Sequence, residues 1–230
     1  MKIRCSALGK IMTNSRTKGT LSKTCKSYIE ELFLEQELGI KKDFWSRYTD
    51  KGMIVEKDGI TLANEVLDWG LPFSEIHGDQ HSLENDYITG HTDVLNKNLL
   101  ADIKCSWNAS TFPFFEDAVD KNYMWQLMGY MFLTGYDKAE LVYCLINTPE
   151  HMVLDEIKRE HWKQNSYWNG DEDPDIEAHI RSQHNFDNMD KNMRVKRYII
   201  ERDEKLIQAI KERVEECREY YETLKSKINK

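Results

Sequence analysis

Three side chains in one short stretch have the types and spacing to do chemistry together: Asp93, Asp102 and Lys104. They fall in two runs rich in β-formers, Tyr87–Leu95 and Leu99–Ser106, separated by Asn96-Lys97-Asn98, which reads as a hairpin. A turn centred between Lys97 and Asn98 sets Asp93 directly opposite Asp102. Opposed strand residues have Cβ atoms about 4.5–5.5 Å apart, and like charges there repel. A divalent cation between the two carboxylates would relieve that repulsion, and Lys104 adds a fixed positive charge. Along the second run Leu99, Ala101, Ile103 and Cys105 share one face and Leu100, Asp102, Lys104 and Ser106 the other. The apolar set is expected in the core, with Asp102 and Lys104 projecting together from an exposed polar face. Ordinary alternatives stay open at this point: Asp93 as a turn cap, Asp102 as an edge-strand charge and Lys104 as its surface partner.

Two further elements bear on the same chemistry. Gly52-Met53-Ile54-Val55-Glu56 lies near the start of a helix that precedes the hairpin, and Glu56 is a candidate third oxygen ligand. Its plain alternative is a surface Glu favoured near a helix N-terminus. The stretch Tyr123–Leu133 is apolar nearly all round and should be a buried helix. Gln126 is its exception, with Tyr130 four residues on along the same face. A buried Gln needs partners: either a core backbone group, or the carboxylate cluster and a ligand or phosphate held there.

Other segments must supply the scaffold. Helices are expected over 26–38, from Lys51 to Trp69 with a stop at Gly70-Leu71-Pro72, and over 116–134. Ala139–Asn147 reads as a strand ended by Thr148-Pro149, with His151–Ile157 as a candidate partner strand. Residues 163–192 are a polar, loop-rich excursion holding Asn169-Gly170 and Asp173-Pro174, with a little helix. Val195–Ile200 reads as a last strand, and Glu201–Asn229 as one long helix. That helix carries Ile207, Ile210, Val214, Cys217, Tyr221, Leu224 and Ile228 at alternating spacings of three and four. The stripe suits either a coiled-coil seam or an amphipathic helix covering its own sheet. No repeat or linker divides the chain. One domain over 1–230 is expected: a basic segment 1–29, a core 30–160, the excursion and the C-terminal helix 201–229. The fold class is α/β (α+β), a central mixed sheet flanked by helices.

Composition narrows the classes. With 40% hydrophobic and 31% charged residues, the 230-residue chain has the profile of a soluble globular protein. No apolar run approaches the roughly 18 residues of a membrane span. Met1–Ser6 lacks the apolar stretch of a secretory leader, so an intracellular, cytoplasmic setting is expected. Five cysteines with no C-x-x-C pair disfavour a disulfide framework or a clustered metal–thiolate site. The net charge is −8, yet residues 1–29 hold Lys2, Arg4, Lys10, Arg16, Lys18, Lys23 and Lys26 and no acid. Such a segment is either a local phosphate-binding surface or a solvated face. The Gly-rich phosphate loop of nucleotide triphosphatases is absent from the sequence.

Gly52-x-x-x-Glu56, Asp93, Asp102-Ile103-Lys104 and Gln126-x-x-x-Tyr130, in that order, resemble the motifs of the PD-(D/E)XK nuclease superfamily. The nearer likeness is to its RecB-like branch and to phage exonucleases of the lambda-exonuclease kind. Arg4-Cys5-Ser6-Ala7-Leu8-Gly9 also looks like the serine-containing start of such proteins. The resemblance implies a restriction-endonuclease-like core. It also implies one or two Mg²⁺ or Mn²⁺ ions held by Glu56, Asp93, Asp102 and the Ile103 carbonyl. Lys104 would orient or deprotonate the attacking water, Gln126 and Tyr130 would brace the site and the DNA backbone, and Ser6 with Arg4 would meet a phosphate near a DNA end. The implied activity is hydrolysis of linear duplex DNA from an end, 5′ to 3′, in phage-type recombination. Implied partners are DNA, a single-strand annealing protein or recombinase, and two further copies of the chain in a ring trimer.

The sequence departs from the family pattern in places. Thr92, not Pro, precedes Asp93, and Asp102 stands where Glu is commoner, which shortens the reach to a metal by one methylene. The iron–sulfur cysteines of some RecB-like relatives are missing. Two other readings remain at this stage: a single-strand or structure-specific endonuclease, and a DNA-end-binding protein with a silent nuclease fold.

Overall fold

The computed structural model describes residues 1–42, 46–77, 81–164 and 173–228. The Asn169-Gly170 turn expected in the polar excursion, and the last residue of the expected C-terminal helix, lie outside the described residues.

The chain opens with β1 (Ile3–Arg4), a single 3₁₀ turn and the short α1 (Leu8–Ile11). Helix α2 (Lys23–Leu38) starts where the Ser22 hydroxyl accepts the Cys25 N–H at 3.0 Å, and ends at Gly39, whose φ of 66° suits a residue without Cβ. Helix α3 (Arg47–Leu67) follows, then α4 (Phe73–Ile76). The expected stop of α3 at Gly70-Leu71-Pro72 comes earlier. Asp68 adopts the left-handed conformation, and the Asn64 side chain brackets Leu71, accepting its N–H at 2.8 Å and donating to its carbonyl at 3.2 Å. The Asn64 clamp turns the chain together with Gly70, whose φ of 67° suits a residue without Cβ.

Next come β2 (His81–Glu84), β3 (Ile88–Thr92), β4 (Val94–Leu95) and β5 (Leu100–Cys105). The expected register is present, with Val94 opposite Ala101 and Leu95 opposite Leu100. The first arm is not one strand, however. It breaks at Asp93: β3 joins β1 and β2 in a three-stranded sheet, while β4 joins β5 in a second sheet. Helix α5 (Lys121–Thr134) crosses over to β6 (Lys138–Cys144), which lies parallel to β5. It begins five residues later than expected because the Asp120 carboxylate caps it, accepting the Asn122 N–H at 2.7 Å. The stretch His151–Ile157 is not a strand; it lies in α6 (Glu150–Gln164), whose Met152, Val153 and Ile157 turn inward at helical spacing. Helix α7 (Pro174–His184) packs on α6. Strand β7 (Val195–Glu201) pairs antiparallel with β6, and α8 (Glu204–Ile228) closes the chain after Asp203 caps its first turn.

The four-stranded sheet, in order β4-β5-β6-β7, is mixed and sandwiched. On one face Leu100, Ala139 and Leu141 join a core with α1, α2, α5 and α8; on the other Ala101, Ile103, Val142 and Cys144 pack on α3. Strand β5 is therefore covered on both sides, and the expectation of an exposed polar face for Asp102 and Lys104 fails. Among the described residues no helix is long and apolar enough to cross a membrane.

The apolar stripe of α8 is spent inside the molecule. Ile207, Ile210, Val214, Cys217 and Tyr221 are buried, Leu224 is partly covered, and only Ile228, 55% exposed, is left out. We expect Ile210→Ala to cost about 2–5 kcal/mol of stability in urea unfolding, the range for truncating a core Ile, with no change in mass by light scattering. A variant of wild-type stability but smaller assembly would restore the coiled-coil reading of this stripe.

Candidate active site

The break at Asp93 builds the site. Because β3 swings away to the other sheet, the Ile103 N–H is taken by a side chain: Asp93 Oδ2 accepts it at 2.7 Å. In an extended strand a residue's N–H and C=O point to the same side, so the Ile103 carbonyl faces the Asp93 side too. Asp102, 1% exposed, projects from β5 toward α5. Gln126 Nε2 donates to its Oδ1 at 2.9 Å and also lies 2.9 Å from the Tyr130 hydroxyl. Lys104 Nζ sits 2.5 Å from Asp102 Oδ2. The same ammonium lies 5.1 Å from the centre of the Tyr123 ring.

The electrostatics of this cluster are those of crowded acids. Burial, with Asp102 beside it and Glu56 within range, holds the Asp93 carboxyl well above the usual carboxylate range. Lys104 is pushed in the opposite sense from an ordinary buried lysine: burial alone would lower its pKa, but Asp102 and Asp93 raise it. Asp102 Oδ2 is buried and, although ion-paired with Lys104, receives no aligned hydrogen bond. An under-satisfied carboxylate oxygen next to a second carboxylate is what a hard cation relieves. Among the described residues no three His, Cys, Asp or Glu side chains close around one point. The protein thus offers two adjacent carboxylates, with Glu56 on α3 further out. That donor set fits Mg²⁺ or Mn²⁺, which take few protein carboxylates plus water and phosphate oxygens.

Six of the residues singled out by sequence therefore gather in one place: Asp93, Asp102, Ile103, Lys104, Gln126 and Tyr130. Glu56 faces the same cluster through its interaction with Asp93. Arg4 and Ser6 are exposed, alternating with the buried Ile3, Cys5 and Ala7. Cys5 ties their segment to the site. A Cβ on Gly90 would meet both Cys5 Sγ and Tyr130 Cε1 at 2.8 Å, and one on Gly129 would meet Cys5 Sγ at 3.0 Å. Only glycine at those two positions lets the N-terminal segment pack against Tyr130. Neither glycine shows a turn or cap signal in the sequence, so nothing marked them.

Lys51 is a second feature that sequence reading passed over. Its side chain is fully buried, and its Nζ donates to the carbonyls of Ser106 and Trp107, both at 2.8 Å. It thereby ties α3, the helix of Glu56, to the backbone immediately after Lys104. Trp107 is further enclosed by Arg47, Tyr48 and His184. The Lys51-Gly52 pair looks like an ordinary exposed helix start in sequence; only tertiary burial distinguishes it.

No family model and no curated protein matches the chain. Solved structures do. A phage-related exonuclease from Haemophilus somnus 129PT aligns over 99% of this chain and 96% of its own, at 30% identity and a TM-score of 0.75. The alkaline exonuclease LHK-Exo of Laribacter hongkongensis aligns over 99% and 93% at 17% identity and a TM-score of 0.64. The same enzyme in complex with dAMP aligns at 18% identity and a TM-score of 0.60.

Burial pulls the Lys51 pKa down from 10.5 to about 8. Between those values the unfolded chain binds the proton and the folded one does not, so stability from this residue rises with pH. The neutral amine still has two N–H groups for the two carbonyls. Comparing urea unfolding of wild type and Lys51→Met, which strands both carbonyls at about 1–3 kcal/mol each, we expect the gap to widen in favour of wild type from pH ~8 to ~10.5. A gap that stays flat or narrows over that window would contradict the buried-cation account.

Proposed function

The chain belongs to the phage-exonuclease branch of the PD-(D/E)XK nuclease superfamily, and from that premise we propose that it is a Mg²⁺- or Mn²⁺-dependent deoxyribonuclease degrading linear duplex DNA from its ends, 5′ to 3′. One observation carries the reading: a buried Asp102 gripped by Lys104 and Gln126 beside a second carboxylate, Asp93. A silent fold retained only for binding could satisfy the Ile103 N–H with a neutral amide acceptor at position 93, without two repelling carboxylates side by side.

Each residue has a job suited to its surroundings. Asp93 and Asp102, with Glu56 and the Ile103 carbonyl, would hold the divalent metal. A bound metal supplies a more acidic water and neutralises charge on the nonbridging phosphate oxygens. Gln126 fixes the Asp102 carboxylate in one rotamer, and the Tyr130 hydroxyl fixes Gln126 in turn. Lys104, held charged by two aspartates, suits orientation of the attacking water and stabilisation of the phosphorane charge better than proton abstraction. Ser6 and Arg4 are the candidates for a terminal 5′-phosphate. Arg4 is now paired loosely with Glu35 at 3.7 Å, an exposed contact that a phosphate would replace at little cost. The chemistry suits a phage-type recombination role beside an annealing protein or recombinase. A ring trimer would need a surface other than the α8 stripe.

Purified protein should degrade linear DNA with Mg²⁺ and lose the activity in EDTA. Lys104→Ala and Asp102→Asn should each lower kcat by at least about 10²–10³-fold, the cost of removing one charge-stabilising group. Because Asp102 is buried, the isosteric Asn is the fair test; Ala would strand Gln126 and Lys104. Cleavage by Lys104→Ala at the wild-type rate would sink the assignment, and equal rates on linear and closed circular DNA would point to an endonuclease. Removing the 5′-phosphate should slow wild type and leave Ser6→Ala less affected.

A further inference from the structure

The loop between β5 and α5, residues 106–120, carries three phenylalanines of graded burial. Phe112 is buried against Leu145 and Phe186; Phe114 packs partly on it, with ring centres 4.7 Å apart; Phe115 is 93% exposed. A single exposed apolar side chain is ordinary. What sets Phe115 apart is how firmly its backbone is held and where it stands.

Pro113 and the buried Phe112 restrict the loop before it. Just after it, the Tyr198 hydroxyl on β7 donates to the Glu116 carbonyl at 2.6 Å. The ring is thus presented to water by a pinned segment, which lowers the conformational cost of meeting a ligand. A line of aromatic rings also runs from the active site to Tyr198, the residue that pins this loop beside Phe115. Lys104 lies over Tyr123, Tyr123 meets Tyr143 edge-on at 6.1 Å, and Tyr143 meets Tyr198 at 6.0 Å. The sheet register explains the order: Lys104 is opposite Tyr143, and Tyr143 opposite Lys196, so all three share one row across β5, β6 and β7. Lys196 lies over the Tyr198 ring at 5.6 Å. From β5 to β7 is two interstrand spacings, about 10 Å, which is room for a short run of unpaired nucleotides.

We propose that Phe115, backed by the Tyr198-pinned loop, is a stacking platform for an unpaired base of the DNA strand leaving or entering the Lys104 site. The inference rests on the nuclease reading above. The charges beside the ring favour a base over a phosphate: Glu116 and Asp117 follow it directly and would repel the backbone, while Lys196 across the row attracts it. The strand is thereby oriented with bases toward Phe115 and phosphates toward Lys196. Stacking also suits an enzyme that must process every sequence, because every base has a π-face. A protein partner would require a contiguous apolar surface, whereas Phe114 turns partly inward onto Phe112 and the two residues after Phe115 are acids.

The test places 2-aminopurine, whose fluorescence is quenched by stacking, in a short single-stranded overhang, with Ca²⁺ replacing Mg²⁺ so that the strand stays whole. Wild type and Phe115→Trp should quench the probe on binding. Phe115→Ala should lose the quench and bind the overhang roughly 5- to 150-fold more weakly, the effect of one stacked base. That ratio should not change as salt is raised, because stacking releases no counterions. The exposed position keeps the melting temperature of Phe115→Ala at the wild-type value, so a loss is not an unfolding artefact. Equal affinities, or an unquenched probe on wild type, would overturn the platform. DNA hydrolysis in Mg²⁺ is scored separately: cleavage without quench removes the platform alone, and quench without cleavage keeps it while removing the hydrolase reading.

Discussion

The hydrogen bond from the Ile103 N–H to Asp93 is the interaction on which the site depends. Two sheets must share the chain on either side of residue 93, and a split of this kind strands a backbone donor at the seam. A buried N–H left unpaired costs about 1–3 kcal/mol, so a side-chain acceptor is required there. Asp93 provides it, and the requirement brings its carboxylate beside Asp102. The repulsion between them is sustained by the covered β5 strand, by Lys104, and by Gln126 reaching over from α5. Local frustration of this sort is typical of functional sites, where surrounding packing holds what the residues themselves disfavour.

Gln126 shows how the layers cooperate. Helix α5 is apolar on nearly every side, as a helix between a sheet and α8 must be. Its one polar intrusion points at the one polar face of β5, and Tyr130, a turn further on, completes its hydrogen bonding. The crossover that makes β6 parallel to β5 therefore also delivers the brace for the carboxylate. On the opposite face of the sheet, α3 brings Glu56 from outside, and Lys51 locks that helix to the strand end.

Period and register were legible in the sequence. The three-residue turn and strand alternation specify the Val94–Ala101 pairing, the apolar run marks α5 as buried, and the order of acids, lysine and glutamine names the family. Burial of both faces of β5 was not legible, because alternation reports a difference between faces and not whether a second layer of helices covers the polar one. The strand reading of 151–157 failed for a related reason: a stretch this short, with four apolar residues, fits either period, and the helix declares itself only over its full length. Lys51, Gly90 and Gly129 were invisible because their roles lie in contacts distant in sequence.

An acidic protein that handles a polyanion must do so through local charge. At physiological salt, fields fade over about 8 Å, so a net charge of −8 matters less than what faces the substrate. The basic residues of the first 29 are only partly committed: Lys2 meets Glu84 and Arg4 meets Glu35 at the surface, while Arg16 and Lys18 line an open cavity of about 410 Å³ together with Arg213. Surface pairs of that kind are worth about 0–1 kcal/mol each, so exchanging a carboxylate for a phosphate is nearly free. Under the nuclease reading proposed above, the acids on the remaining surface would act in the opposite direction, disfavouring DNA away from the basic N-terminal segment and the Lys104–Lys196 row.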